Sequence, residues 1–234
     1  MGRNKESCMR EFQADDRTIS AYLAEPEHSS GQVVLVLHAW WGLTDVFKQV
    51  CDRLAEAGFV ALAPDLYRGK TTASVEEAQV LATALNSDVE RVRGDIAAAV
   101  QVLSQYTATH LAEGHANLAL VGFSLGGAYA LKTSVTLPKE IAAVVTFYAS
   151  YPGLDYRSAK ATYLCHFADD DPFESVESIA EMEQELQAAG RPATFYTYPR
   201  TKHWFFEENR LEYDAEAARV AWERTIAFLH ERLE

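Results

Sequence analysis

The chain has 234 residues, 48% of them hydrophobic and 24% charged, an ordinary globular composition with enough material for one sizeable core. Its 21 Lys and Arg stand against 34 Asp and Glu, for a formal charge of −13; such a surface repels phosphate backbones and anionic lipid, which argues against nucleic-acid and membrane-surface partners. No apolar run nears the roughly 18–20 residues of a bilayer span, and the opening MGRNKESCMREF lacks an apolar core of signal-peptide length. Cys8, Cys51 and Cys165 are odd in number and have no metal-like spacing, so a reduced, cytoplasmic chain is expected rather than a disulfide framework.

In chain order, MREFQADDRTISAYLAEP alternates apolar and polar residues on either side of Ala-Asp-Asp-Arg, the pattern of an antiparallel hairpin. QVVLVLH (32–38) is continuous and β-branched, as in a strand covered on both faces. Residues 44–57 set Val46, Phe47, Val50, Cys51 and Leu54 on one helical face and stop at Gly58. FVALAPD (59–65) reads as a second buried strand, and capping-box patterns at Ser74–Glu77 and Ser87–Glu90 each start a helix. The second of these helices carries Val89, Val92, Ile96, Val100, Leu103 and Tyr106 as a stripe toward a sheet.

Four further strands are predicted at 117–123, 141–148, 162–167 and 193–198, with helices at 125–136, about 175–189 and about 214–232. With no repeats and no linker-like shift in composition, the expectation is one α/β domain over 1–234. It would hold a mainly parallel sheet of about eight strands, the N-terminal antiparallel hairpin, and helices on both faces.

Within this frame, Gly122-Phe123-Ser124-Leu125-Gly126 stands between a strand and a helix and matches the G-x-S-x-G pattern. A tight structural turn would account for the glycines alone. The chemical reading is a nucleophile raised above a sheet, on a corner so sharp that a Cβ at Gly122 or Gly126 would clash, next to a helix N-terminus that favours negative charge. A serine hydroxyl needs a base, and the base needs an orienting carboxylate. In this architecture both follow the serine in the chain, from loops at the carboxyl ends of later strands. HFADDDPFES supplies Asp169, Asp170 or Asp171, and TYPRTKHWFFEE supplies His203.

Taken together, LVLHAWWGL (35–43), APDLYRGK (63–70), GFSLGG (122–127), HFADDDPF (166–173) and KHWFFEENRLEYDAEAA (202–218) resemble the dienelactone hydrolase family of α/β-hydrolases over nearly the whole chain. The resemblance implies that Asp171, just before Pro-Phe, is the acidic member and that His203 is the base. It also implies that the N–H of Trp40 joins that of Leu125 in an oxyanion hole. The chain departs from the family's best-known members in two ways. Ser124 replaces their cysteine and Ala39 their helper glutamate, a consistent pair of changes, because a hydroxyl is too weak an acid to give its proton to a carboxylate. The arginines that hold a dienelactone carboxylate also lack counterparts, and the position four after His203 is Glu207.

Trp40 and Trp41 precede Gly42 at the expected edge and, with Tyr148, Phe173, Trp204 and Phe205, suggest an aromatic-walled mouth for apolar acyl or alcohol groups. The resulting expectation is a cytoplasmic serine esterase or lactonase, monomeric or a small homo-oligomer, that acts on small esters or lactones without cofactor or metal. Other acyl chemistry on the same three residues (thioesterase, peptidase or acyltransferase) and a non-catalytic, ligand-binding relative are the alternatives.

Overall fold

Alternation and continuity of apolar residues produce two kinds of strand in the computed structural model, which describes residues 5–14, 16–28, 31–110 and 118–233. Asp15 of the predicted hairpin turn and Asn117 of the predicted fifth strand lie outside the described residues. Lys5–Ala14 (β1) and Arg17–Glu25 (β2) pair antiparallel, with Phe12 opposite Ile19 and Ala14 opposite Arg17. Val33–Leu37 (β3) is buried at every position, as a strand covered on both faces must be. Asp45–Glu56 (α1) follows and buries Phe47, Val50, Cys51, Leu54 and Ala55.

The end of α1 shows why its stop signal was legible. Gly58 takes φ +99°, its N–H bonds Ala55 O, and the N–H of Phe59 bonds Leu54 O. This left-handed cap consumes the helix's last carbonyls and suits glycine best. Val60–Pro64 (β4), again buried throughout, pairs parallel with β3 and antiparallel with β2. Val75–Ser87 (α2) opens on the predicted cap, the Ser74 side chain accepting from the N–H of Glu77. The second predicted capping box is not made. Ser87 is the last residue of α2 and its Oγ donates back to Ala84 O at 2.8 Å, the local bond that a helical serine finds one turn earlier. Val89–His110 (α3) nevertheless starts there, with Val92, Ile96, Val100 and Leu103 of its stripe buried and Val89 exposed.

The chain divides into two compact units, Met1–Leu118 and Ala119–Glu234. The first has the strand order β1-β2-β4-β3. The boundary falls after the first residue of Leu118–Phe123 (β5), buried throughout, and the second unit continues through Leu125–Thr136 (α4) and Ile141–Phe147 (β6). After a 3-10 turn at Tyr156–Ser158 come Thr162–Asp170 (β7), Val176–Ala188 (α5), Ala193–Lys202 (β8) and Ala215–Leu233 (α6). Its strand order is β5-β6-β7-β8, with β6–β7 and β7–β8 parallel.

The architecture is therefore α/β: eight strands and six α-helices among the described residues, antiparallel at the N-terminal hairpin and mainly parallel beyond it. The last two strands are longer than predicted. Beyond Phe167 and Tyr198 the chain turns polar, yet the ladder resumes after an irregularity with Asp170 paired to Lys202.

Candidate active site

Extension of β7 and β8 decides the site's geometry. In this parallel register Asp170 stands beside Lys202, so the next residues of the two strands, Asp171 and His203, emerge side by side. Neighbouring strands lie about 4.8 Å apart, a spacing that a carboxylate and an imidazole can bridge. His203 Nδ1 lies 2.8 Å from Asp171 Oδ2 and 2.9 Å from Oδ1. Both side chains are nearly sealed from solvent, at 4% and 2% exposure. The Asp171 carboxylate also accepts the backbone N–H groups of Phe173 (2.9 Å) and Glu174 (3.2 Å), which pin its orientation.

The serine arrives from the other end of the same unit. Ser124 sits between β5 and α4 with φ +50° and ψ −116°, a backbone state that a side-chain-bearing residue holds only under local constraint. Its N–H donates to Phe147 O at 2.9 Å, and its own carbonyl accepts the first helical bond, from Ala128. A Cβ on Gly122 would lie 2.5 Å from Gly126 O and 2.6 Å from the Gly127 α-carbon. No flexible side chain is there to yield, so the predicted crowding at Gly122 is real. Gly127 is a second close approach, against the Ala149 side chain, which the sequence pattern did not single out.

The Ser124 Oγ then lies 2.9 Å from His203 Nε2. One imidazole thus bridges a hydroxyl and a carboxylate, an arrangement that can take the hydroxyl's proton while the carboxylate holds the tautomer and steadies the imidazolium. Asp169 and Asp170 are not part of this array. The Asp169 Oδ2 accepts from the N–H of Arg200 at 3.2 Å, and Asp170 pairs with Lys202 Nζ at 3.7 Å.

Aromatic rings surround the imidazole. Tyr148, Phe173 and Trp204 have ring centroids 4.7, 4.8 and 5.1 Å from that of His203. Exposure separates the predicted lining residues: Phe173 is 54% exposed and Trp204 8%, while Tyr148 and Phe205 are fully buried, Phe205 packed on Tyr148 and Tyr198. Leu125 opens α4, and its N–H belongs to the first turn, where backbone donors have no partner within the helix. Trp40 and Trp41 belong to the first unit, where they contact one another edge-on at 5.2 Å; Trp40 is half-buried and Trp41 buried. Ala39, beside them, is fully buried.

Two carboxyl groups near the imidazole were not foreseen from sequence as participants. Glu174 is held by the Ser150 N–H at 2.8 Å and by the hydroxyl of the same serine. Burial pushes its pKa up to about 7 against the pull of those bonds. Glu207 is buried more deeply and accepts the Tyr148 O–H at 2.8 Å. Burial raises its pKa to about 8, opposed by the Tyr148 bond and the charge of Arg210. The only signal for either was a Glu three or four residues beyond a predicted site residue.

Two other histidines are structural. His166 bonds Tyr198 Oη through Nδ1 and Thr225 Oγ1 through Nε2, and burial lowers its pKa to about 3. His38 places Nδ1 2.7 Å from Ala39 O, and burial lowers its pKa as well. Among the described residues no group of three His, Cys, Asp or Glu side chains is disposed to hold a metal ion. No described helix is long and apolar enough to cross a membrane.

Comparison with known proteins agrees with this architecture. Protein usf of Aquifex pyrophilus is 30% identical over 96% of this chain and 98% of its own length. A putative carboxymethylenebutenolidase of Aquifex aeolicus is 27% identical over 94% and 96%. The crystal structure of a putative dienelactone hydrolase from Klebsiella pneumoniae superposes with a TM-score of 0.82 at 24% identity, covering 97% of this chain and 98% of that one, and shows the same fold. The dienelactone hydrolase family model itself matches residues 19–233, from β2 through α6 and across both units, so the chain belongs to the dienelactone hydrolase family, a family of hydrolytic enzymes.

Proposed function

We propose that the protein is a serine hydrolase of small carboxylic esters or lactones, with Ser124 as nucleophile, His203 as general base and acid, and Asp171 as the carboxylate that orients it. The unbroken chain of hydrogen bonds from Ser124 Oγ through His203 to Asp171, at 2.9 and 2.8 Å, carries this reading. His203 takes the Ser124 proton as Oγ attacks the carbonyl carbon, and then hands it to the leaving alcohol. Water, deprotonated by the same imidazole, attacks the acyl-enzyme and releases the acid and free Ser124. The N–H of Leu125, at the start of α4, is one proposed oxyanion donor; Trp40 is the second on family resemblance alone.

Phe173, exposed, and Trp204, nearly buried, both against the imidazole, are proposed to contact apolar acyl or alcohol groups. Tyr148 and Phe205 support that wall from buried positions, and Trp41 is proposed as a further lining residue on the sequence pattern alone. The family match over both units supports treating 1–234 as one hydrolase domain. The free thiols of Cys8, Cys51 and Cys165 suit a reducing, cytoplasmic setting.

The test is Ser124→Ala on p-nitrophenyl esters, together with fluorophosphonate labelling. Turnover is expected to fall by about 10⁴-fold or more with the fold intact, and the label is expected on Ser124. Unchanged turnover would sink the assignment. Ester, thioester and amide series run side by side define the acyl chemistry.

A further inference from the structure

The imidazole of His203 has a second support that the hydrogen-bonded array does not include. Tyr148 follows β6 with φ +42°, a left-handed backbone state costly for so bulky a residue, and its N–H is tied to His166 O at 2.6 Å. The ring is fully buried and lies 4.7 Å from the imidazole centroid at an interplanar angle of 55°. Its hydroxyl donates 2.8 Å to Glu207 Oε1, while Glu207 Oε2 is buried without a hydrogen-bond partner. A carboxyl group placed so expensively, with one oxygen spent on a single phenol, holds that phenol in place.

We propose that Glu207 and Tyr148 are a positioning pair: the Glu207 carboxyl anchors the Tyr148 hydroxyl, and the anchored ring sets the tilt of the His203 imidazole between Ser124 and Asp171. This rests on the serine-hydrolase reading and adds a residue, Glu207, that touches neither substrate nor the reacting atoms. The groups whose charge Glu207 meets are Tyr148 on the β6 side, and Arg210 and Glu212 on its own loop; Asp171 and His203 face Tyr148 in turn. Near neutral pH the buried carboxyl is protonated, and it ionises at about 8.

The experiment combines kinetics with ring-nitrogen NMR of His203. Glu207→Met, which removes the acceptor, is expected to lower kcat about tenfold with KM within about twofold. Glu207→Gln, which keeps an oxygen acceptor, is expected to recover most of that loss. Tyr148→Phe, which keeps the ring but frees it, is expected to lower kcat several-fold, and it decides the matter if Glu207→Met does not fold. In the wild-type protein the His203 ring signals are expected to show an inflection near pH 8, and Glu207→Gln to abolish it.

A Glu207→Met or Tyr148→Phe enzyme with wild-type kcat overturns the pair. So does an inflection that persists in Glu207→Gln. Ser124→Ala run in parallel separates the two ideas: if it retains full turnover the hydrolase reading fails, while the NMR titration still decides whether Glu207 and His203 are coupled.

Discussion

The two units of the chain use their buried polar groups differently. In the first, Asp95 gathers Arg17 at 3.2 Å, Arg91 at 3.0 Å and Arg68 at 3.9 Å, all partly open to solvent, and the cluster ties β2 to α3. In the second, carboxyl groups withdrawn from solvent face an imidazole, a phenol and a serine: Asp171 on His203, Glu207 on Tyr148, Glu174 on Ser150. Backbone strain follows the same division. Of the five described non-glycine residues with positive φ, only Arg68 lies in the first unit; Ser124, Tyr148, Arg200 and Trp204 lie in the second. Strain and desolvated charge persist where surrounding structure over-determines them, and such places are disproportionately functional. On the proposed reading, the first unit serves mainly as scaffold and the second carries the nucleophile, the base and the orienting acid.

That contrast is open to direct attack. The largest expected effect is that of Asp171→Asn, which keeps size and most hydrogen bonding but favours the wrong imidazole tautomer. Ester turnover should drop by about 10³–10⁴-fold with little change in melting temperature. A drop below tenfold would place the orienting acid elsewhere. Next comes Gly122→Ala, whose new methyl meets the Gly126 and Gly127 backbone. A stability loss of at least about 2 kcal/mol is expected in denaturant titration, along with reduced turnover; an alanine tolerated without cost would mean that the corner is not crowded.

The smallest is Asp95→Asn in the first unit, which leaves three arginines around a neutral side chain. Because those arginines are partly solvated, the expected cost is only about 1–2 kcal/mol of stability. The kcat measured on the surviving folded protein should stay within about twofold. A tenfold fall in kcat there would erase the division between scaffold and chemistry.

Much of this was legible in the sequence because the signals are local. Continuous apolar runs announced β3, β4 and β5, and Gly58 announced the end of α1. Gly122-Phe123-Ser124 announced a corner whose crowding needs only adjacent backbone. Failures arose where a distant partner decided the outcome. Ser87 matched a capping pattern, yet α2 ran through it and gave its hydroxyl a helical carbonyl instead. The polar ends of β7 and β8 lack any strand pattern, including Pro199 at an edge strand, and became strand only because each had the other to pair with.

Sequence alone determined the order of elements, the strained serine and the short set of acids and histidines that could serve it. Among Asp169, Asp170 and Asp171 the local pattern left the choice open, and only the family resemblance favoured the last. Tertiary structure sets one of them against the imidazole, because parallel pairing of Asp170 with Lys202 brings Asp171 and His203 out together. It alone also turned Glu207, visible in the sequence only as a departure from the family's arginine four residues after His203, into a buried group on Tyr148, since desolvation depends on what packs around a side chain and no local pattern encodes it.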